Sequence, residues 1–258
     1  MLEKCLKWRQ NMWITSVNDM INKVQTIINN KELNYLLWFR GHSDEGWELV
    51  PSVQRGKYAV GEIEQYMAND FYMRASVSMK DRPSQDYCGW MAMMQHYGLP
   101  TRLLDWSLSP LIALFFATND YEKYPDKDGC FWILRPGLLN ELEGFGSYIY
   151  PMDKYTVMDM IKPAFNSRQI NEEVADKIIA CYPVEYNMRI YTQQSAFTVH
   201  NSKKKLTSIN NPELLKKYII PADCKKKILE ELRICGITLR SVYPDVEHIA
   251  KELKDFYK

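Results

Sequence analysis

Arg40 ends a short aromatic segment and stands directly before Gly41. Its guanidinium offers a planar fork of donors suited to a phosphate or to the ribose phosphate of a nicotinamide nucleotide. Gly41 lacks a Cβ and lets the backbone pass close to a ligand. The plainer alternative is an arginine paired with Asp44, Glu45 or Asp105. His42 has ring nitrogens that suit a ribose hydroxyl or a proton shuttle, although a lone loop histidine often serves neither. Further on, Thr101, Arg102 and Asp105 precede the apolar run "PLIALFFAT", with Ser107 and Ser109 in the turn that enters it. A buried helix holds whatever its N-terminal loop presents on a rigid support. The helix N-terminus with Thr101, Arg102 and Ser107 then makes an anion or nucleotide site, while Arg102 and Asp105 are also close enough to pair with each other. Gln193 and Gln194 fall in a β-branched and aromatic run, where strand alternation turns one amide inward; such an amide must find partners.

The elements that would hold these groups follow from periodicity and punctuation. "SVND" opens an amphipathic helix over residues 16–29 with a hydroxyl cap and an acidic residue three later. Residues 35–40 read as a buried strand, 62–80 and 86–96 as helices, the latter stopped by Gly98 and Pro100. Ser109 caps the apolar helix and Pro110 takes its first position. "GCFWILRPG" reads as a strand, 171–180 as a helix, 188–200 as a strand and 223–235 as a helix ended by Gly236. "ITLRS" reads as a short strand. Val246, Ile249, Ala250, Leu253 and Phe256 make one apolar stripe on a final helix. Residues 138–182, with scattered glycines and prolines and an aromatic "YIYP", read as an insertion or lid within a single domain spanning residues 1–258. The sum is an α+β fold with a mixed or antiparallel sheet and flanking helices.

Composition excludes several classes of function. Lys and Arg total 33 against 32 Asp and Glu, so no global field attracts nucleic acid or an acidic membrane. No apolar run reaches the length of a membrane span, and the first residues lack the apolar core of a signal peptide, which predicts a cytoplasmic chain and no membrane partner. Six dispersed cysteines, Cys5, Cys88, Cys130, Cys181, Cys224 and Cys235, form no C-x-x-C pair and read as reduced and mostly buried. The four histidines are too scattered for a metal site. Lys203 to Lys205, Lys216, Lys217 and Lys225 to Lys227 are solvated faces or turns in the simpler reading. Gathered together, they would instead make a basic patch for nucleic acid or a protein partner. Metal-dependent phosphodiester cleavage has acidic residues available but no motif.

The segments "WFRGHSDEGWELVPSVQR", "QHYGLPTRLLDWSLSPLIALFFA", "RIYTQQSAF" and "GITLRSVYPDVEHIAKEL" together resemble the FRG domain family of bacteria and phages, over roughly residues 34–252. Phe39, Arg40 and Gly41 are the step that names the family. Ser195 stands where family members tend to carry glycine. The resemblance implies a phage-defence or toxin-like setting. A fainter likeness is to mono-ADP-ribosyltransferases: an aromatic-Arg-Gly strand end, a serine-rich turn into an apolar helix, and a third strand bearing a polar residue. That likeness implies NAD as cofactor, with Arg40 on phosphate, His42 and Gln193 or Gln194 on ribose, and a carboxylate beside the developing positive charge. Such transferases place glutamate where this chain has glutamine. Asp105 or Glu48 then supplies the carboxylate, or the site binds a nucleotide without turning it over. The competing class is a non-enzymatic module that uses the lysine-rich C-terminal third.

Overall fold

The computed structural model describes residues 12–29, 36–78, 83, 86–166, 168, 171–184 and 188–257. Cys5, Tyr35 and the last two residues of the helix expected over 62–80 lie outside the described residues, as does the side chain of Phe256. Seven strands form one sheet in the order β4-β5-β6-β2-β1-β3-β7. They are β1 Trp38–His42, β2 Leu103–Ser107, β3 Gly129–Leu134, β4 Tyr150–Pro151, β5 Ile178–Tyr182, β6 Ser195–His200 and β7 Leu215–Ile220. β4 and β5 pair in parallel, and the other neighbouring strands of the sheet pair antiparallel. The helices are α1 Val17–Asn29, α2 Ile63–Ser78, α3 Tyr87–His96, α4 Pro110–Thr118, α5 Pro136–Leu142, α6 Tyr155–Ile161, α7 Met188–Thr192, α8 Lys225–Ile234, α9 Leu239–Val242 and α10 Val246–Phe256. The expected α+β fold with a mixed sheet and flanking helices is the one observed. None of the helices among the described residues is long and apolar enough to cross a membrane.

Strand alternation divides the sheet residues between two faces. On one face Phe39, Phe131 and Ile133 pack under α4 and α8, while Leu103, Phe197, Val199, Ile179 and Cys181 pack under α3 and α6. Asp105 and Ser107 of β2 fall on this same face, between the two apolar clusters. The opposite face is a single cluster in which Trp38, Leu104, Trp106, Trp132 and Leu134 meet Leu49, Leu139, Leu206 and Leu214. Arg40 and His42 belong to that second face by alternation from Trp38.

Local chemistry explains why the elements start where they do. Asp86 accepts from the amides of Cys88 at 2.9 Å and Gly89 at 3.1 Å, capping α3. Ser109 caps α4 through the amide of Ile112, with Pro110 in the first position. Gly236, at φ +79°, ends the turn after α8 in the left-handed region that glycine tolerates.

Four expectations are corrected. Residues 188–200 are not one strand: α7 occupies the first five, and Gln193 and Gln194 form the turn before β6, with Gln194 at φ +46°. Residues 171–180 are not a helix, because a single 3-10 turn at Glu172–Val174 is followed by the buried strand β5. "ITLRS" is not a strand; Thr238 and Ser241 exchange side-chain bonds with each other's amides and start α9. Asp105 lies not in a loop but at the centre of β2. Residues 138–182 contribute α5, β4, α6 and β5 to the sheet and core.

Candidate functional site

The site assembles at the seam between β1 and β2. These two strands share one register pair, Phe39 opposite Ser107, and the side chain of Arg40 spans the gap beyond it. Arg40 Nη1 donates to the main-chain oxygen of Asp105 and lies 3.8 Å from Asp105 Oδ2. Arg40 Nε donates to His42 Nε2 at 2.9 Å. Arginine has donors only, so Nε2 of His42 must be the acceptor and the ring carries its proton on Nδ1. Burial, and then the positive charges of Arg40, Arg55 and Lys217, hold the His42 pKa down to about 2. A histidine so held orients a guanidinium; it has no free nitrogen of the right kind to take a proton at Nε2.

Arg40 itself is lowered to about 10, chiefly by burial against the opposing pull of Asp105, and stays charged at neutral pH. Its Nη2 makes no hydrogen bond with the described residues. Arg55 stands close enough to act on Arg40, His42 and Asp105 electrostatically. It is fixed by two bonds to the Val50 carbonyl, 3.1 Å from Nε and 2.6 Å from Nη2.

On the other side of the seam a relay positions the Asp105 carboxylate. Thr101 Oγ1 donates to Gln95 Oε1, and Gln95 Nε2 donates to Asp105 Oδ2 at 2.7 Å. The amide of Leu103 closes onto Thr101 Oγ1 at 3.1 Å, tying the relay to the start of β2. The Asp105 side chain remains half exposed. It borders a recess of about 30 Å³ shared with Gln95, His96, Arg189, Gln193 and Phe197, about the share of one water molecule in the liquid. Arg189 closes the recess from α7: it donates to the His96 carbonyl at 3.1 Å, and its guanidinium lies 4.7 Å from the centre of the Tyr243 ring.

The other residues singled out in the sequence fall in different places. Arg102 does not pair with Asp105. Its guanidinium makes a buried, bidentate pair with Glu64 at 2.7 to 3.2 Å and spends Nη1 on the Met160 carbonyl and Asn201. What comes close to Gly41 is helix α4: a Cβ there would stand 1.9 Å from the Ala113 oxygen and 2.6 Å from the Ala117 nitrogen. Ser107 Oγ donates to the Gln193 carbonyl at 2.8 Å and accepts from the Ser109 amide, which pins the Gln193-Gln194 turn onto β2. Gln193 reaches the recess; Gln194 contributes its main-chain oxygen to the Leu108 amide at 2.9 Å. Glu48 is paired with Lys205 away from the seam.

The lysine runs do not form one solvated surface. Lys225 is wholly buried and donates to the Ser43 carbonyl at 2.7 Å. Lys204, Lys205 and Lys217 pair with Glu143, Glu48 and Glu45 respectively. Cys88, Cys130 and Cys181 are buried and free, Cys224 is half-buried and Cys235 is exposed. No cluster of three or more metal-ligating side chains occurs among the described residues.

Sequence reasoning passed over Gln95, Arg55 and Arg189. Gln95 begins the same "QHYGLPTR" run that holds Thr101 and Arg102, so its neighbourhood was visible although its partner was not. Nothing in spacing links Arg55 or Arg189 to residue 105.

The fold and the seam thus define an α+β protein with an arginine-centred polar site on its central strands. The model of one family, the FRG domain, matches residues 36–126, the stretch that carries β1, α2, α3, β2 and α4 and therefore Arg40, His42, Gln95 and Asp105. The later segments expected to carry the same resemblance lie outside that match. Neither the curated proteins nor the solved structures give a match to the chain, so the likeness to ADP-ribosyltransferases rests on the residues alone.

Proposed function

We propose that this chain is a nucleotide-binding module that holds the phosphate of its ligand at the seam between β1 and β2, with Arg40 as the partner of the anion. The observation that carries the reading is the state of the Arg40 guanidinium. It is fixed at Nε by His42 and at Nη1 by the Asp105 carbonyl, while Nη2 has no hydrogen bond among the described residues. A donor held in place before binding loses little freedom when the ligand arrives. With Arg55 beside it, the seam sets two cations against the single carboxylate of Asp105, and the surplus positive charge favours phosphate.

NAD is the ligand this reading puts first. The protein groups suit its pyrophosphate better than its sugar: the recess beside Asp105 admits a group of hydroxyl size, and the rest of a dinucleotide would lie across the exposed rim. Bound NAD would bring a cleavable nicotinamide-ribose bond. The chain's own contribution would be the half-exposed Asp105 carboxylate, oriented by Gln95, as the negative charge nearest Arg40. Titration calorimetry of NAD and ADP against wild type and Arg40→Ala, with the same samples assayed for free nicotinamide, tests this. Saturable binding to wild type, weakened at least tenfold by Arg40→Ala, supports the seam as the site. Equal affinity in the two proteins, or no binding of either nucleotide, refutes it.

A further inference from the structure

A cavity of about 570 Å³ lies apart from the seam. It lies between the segment 48–64 and the end of β6, and its size is within the range of small-molecule sites, roughly 300 to 1,000 Å³. Neither Arg40, His42 nor Asp105 lines it.

The charges on its wall cancel. Three carboxylates, Glu48, Glu64 and Asp176, face three cations, Arg102, Lys203 and Lys205. Most are already engaged with the protein: Glu64 with Arg102 at 2.7 Å, Glu48 with Lys205, and Asp176 with the Ser202 hydroxyl. A charged ligand that displaced either partner of the Arg102–Glu64 pair, whose side chains are 10% and 15% exposed, would leave a buried charge without its partner. An uncharged ligand would not.

Several polar atoms on the wall have no hydrogen-bond partner among the described residues. Gln54 spends Nε2 on the Ser202 carbonyl and keeps Oε1 as an acceptor. The Tyr58 hydroxyl has no hydrogen bond with the described residues. His200, 2% exposed, lies on the wall with Nδ1 unpaired. Trp106 Nε1 can only donate, and does so to Thr198 Oγ1 at 3.2 Å. The threonine hydroxyl and His200 Nε2 share a hydrogen bond of 2.9 Å, which leaves Nδ1 as the ring nitrogen open to a ligand. Burial holds the ring neutral, with a pKa lowered to about 3. The remaining wall includes Val50, Val53 and the Tyr58 ring.

From this balance of charge, aromatic surface and dispersed donors and acceptors, we propose that the cavity is a binding site for an uncharged heterocycle of nucleoside size. Apolar and aromatic walls with a few polar groups that fix orientation are what such a ligand requires.

The test is calorimetric titration of the full chain with adenosine, guanosine, cytidine and uridine. At least one nucleoside should bind saturably. Tyr58→Ala should weaken that binding about tenfold, the order of effect expected when an aromatic contact to a base is removed. Ala59→Trp, at an exposed position on the cavity wall, should abolish it while leaving the melting temperature unchanged. The matching 5′-monophosphate should bind no more tightly than the nucleoside. Failure of all four nucleosides to bind would overturn the proposal. So would binding that both variants leave intact, or a monophosphate that binds tenfold more tightly than its nucleoside.

Discussion

Substituting Glu64 tests whether Arg102 is architecture or ligand binder. Three guanidinium-to-carboxylate bonds of 2.7 to 3.2 Å join the two side chains, which are only 10% and 15% exposed, and the Arg102 amide adds a fourth bond to Glu64 at 3.1 Å. Glu64→Gln leaves the guanidinium in place without its counter-charge. Removing one partner of a buried pair costs about 3 to 5 kcal/mol, a large share of the roughly 5 to 15 kcal/mol by which a folded protein is stable. For a chain of this size each kcal/mol moves the melting temperature by about 2 to 4 °C, so Glu64→Gln should lower it by roughly 6 to 20 °C. Arg102→Met should do the same. The double variant should recover much of the loss, because neither glutamine nor methionine carries a charge that needs compensation. The assay is urea and thermal denaturation of all four proteins, read as a double-mutant cycle. A coupling energy below about 0.5 kcal/mol, or single variants that melt with wild type, would refute the reasoning and free Arg102 for a role with ligand.

Gly41→Ala should destabilise by more than about 3 kcal/mol, beyond the usual cost of overpacking, because the added Cβ meets backbone atoms of α4 that have no rotamer to change; a urea midpoint equal to wild type would contradict this. His42 and His200, with pKa values near 2 and 3 in the folded state, are depressed below the unfolded value of about 6.5. The unfolded chain therefore binds more protons, and their contribution to stability is present above pH 6.5 and lost as the pH falls below it. The loss from each is about 1.4 kcal/mol per pH unit; His200→Gln should shallow the slope between pH 6 and 4, and an unchanged slope argues against a buried neutral ring. Arg40→Lys should lose at least tenfold in phosphate affinity, since an ammonium cannot hold His42 and Asp105 and still present a free donor; calorimetry showing full retention would reduce the site to a point charge. Asp105→Asn, by removing the carboxylate 3.8 Å from Arg40, should strengthen binding of inorganic phosphate several-fold, and weaker binding would mean that the carboxylate helps to place Arg40.

Where punctuation was chemical, the sequence was readable. Asp86, Ser109 with Pro110, and Gly236 each mark a helix end by a bond or a backbone angle that the residue type dictates. β3 was legible from Gly129 and its aromatic run. The misreadings occur where tertiary burial overrides local pattern. "LLDWS" carries an aspartate at its centre and reads as a loop, yet antiparallel neighbours on one side and the splayed seam on the other make it a strand. "MRIYT" is β-branched and aromatic but forms a helix that buries Ile190, and the chain enters the sheet only at Ser195, opposite Ser107. Of the residues singled out in the sequence, Arg40, His42 and Asp105 are the ones the structure brings together. That Arg102 turns away to Glu64 on α2, and that Arg55 turns in from the segment before that helix, depends on contacts between parts of the chain far apart in sequence. No spacing rule carries that information.

The measurement that bears most directly on the central claim is titration calorimetry of ADP with wild type and Arg40→Ala, both checked for an unchanged fold by circular dichroism. The account predicts saturable binding to wild type and at least a tenfold loss in the variant, with no loss of secondary structure. Equal affinity in the two proteins, or no heat of binding in wild type, would contradict it and leave Arg40 as a brace between β1 and β2.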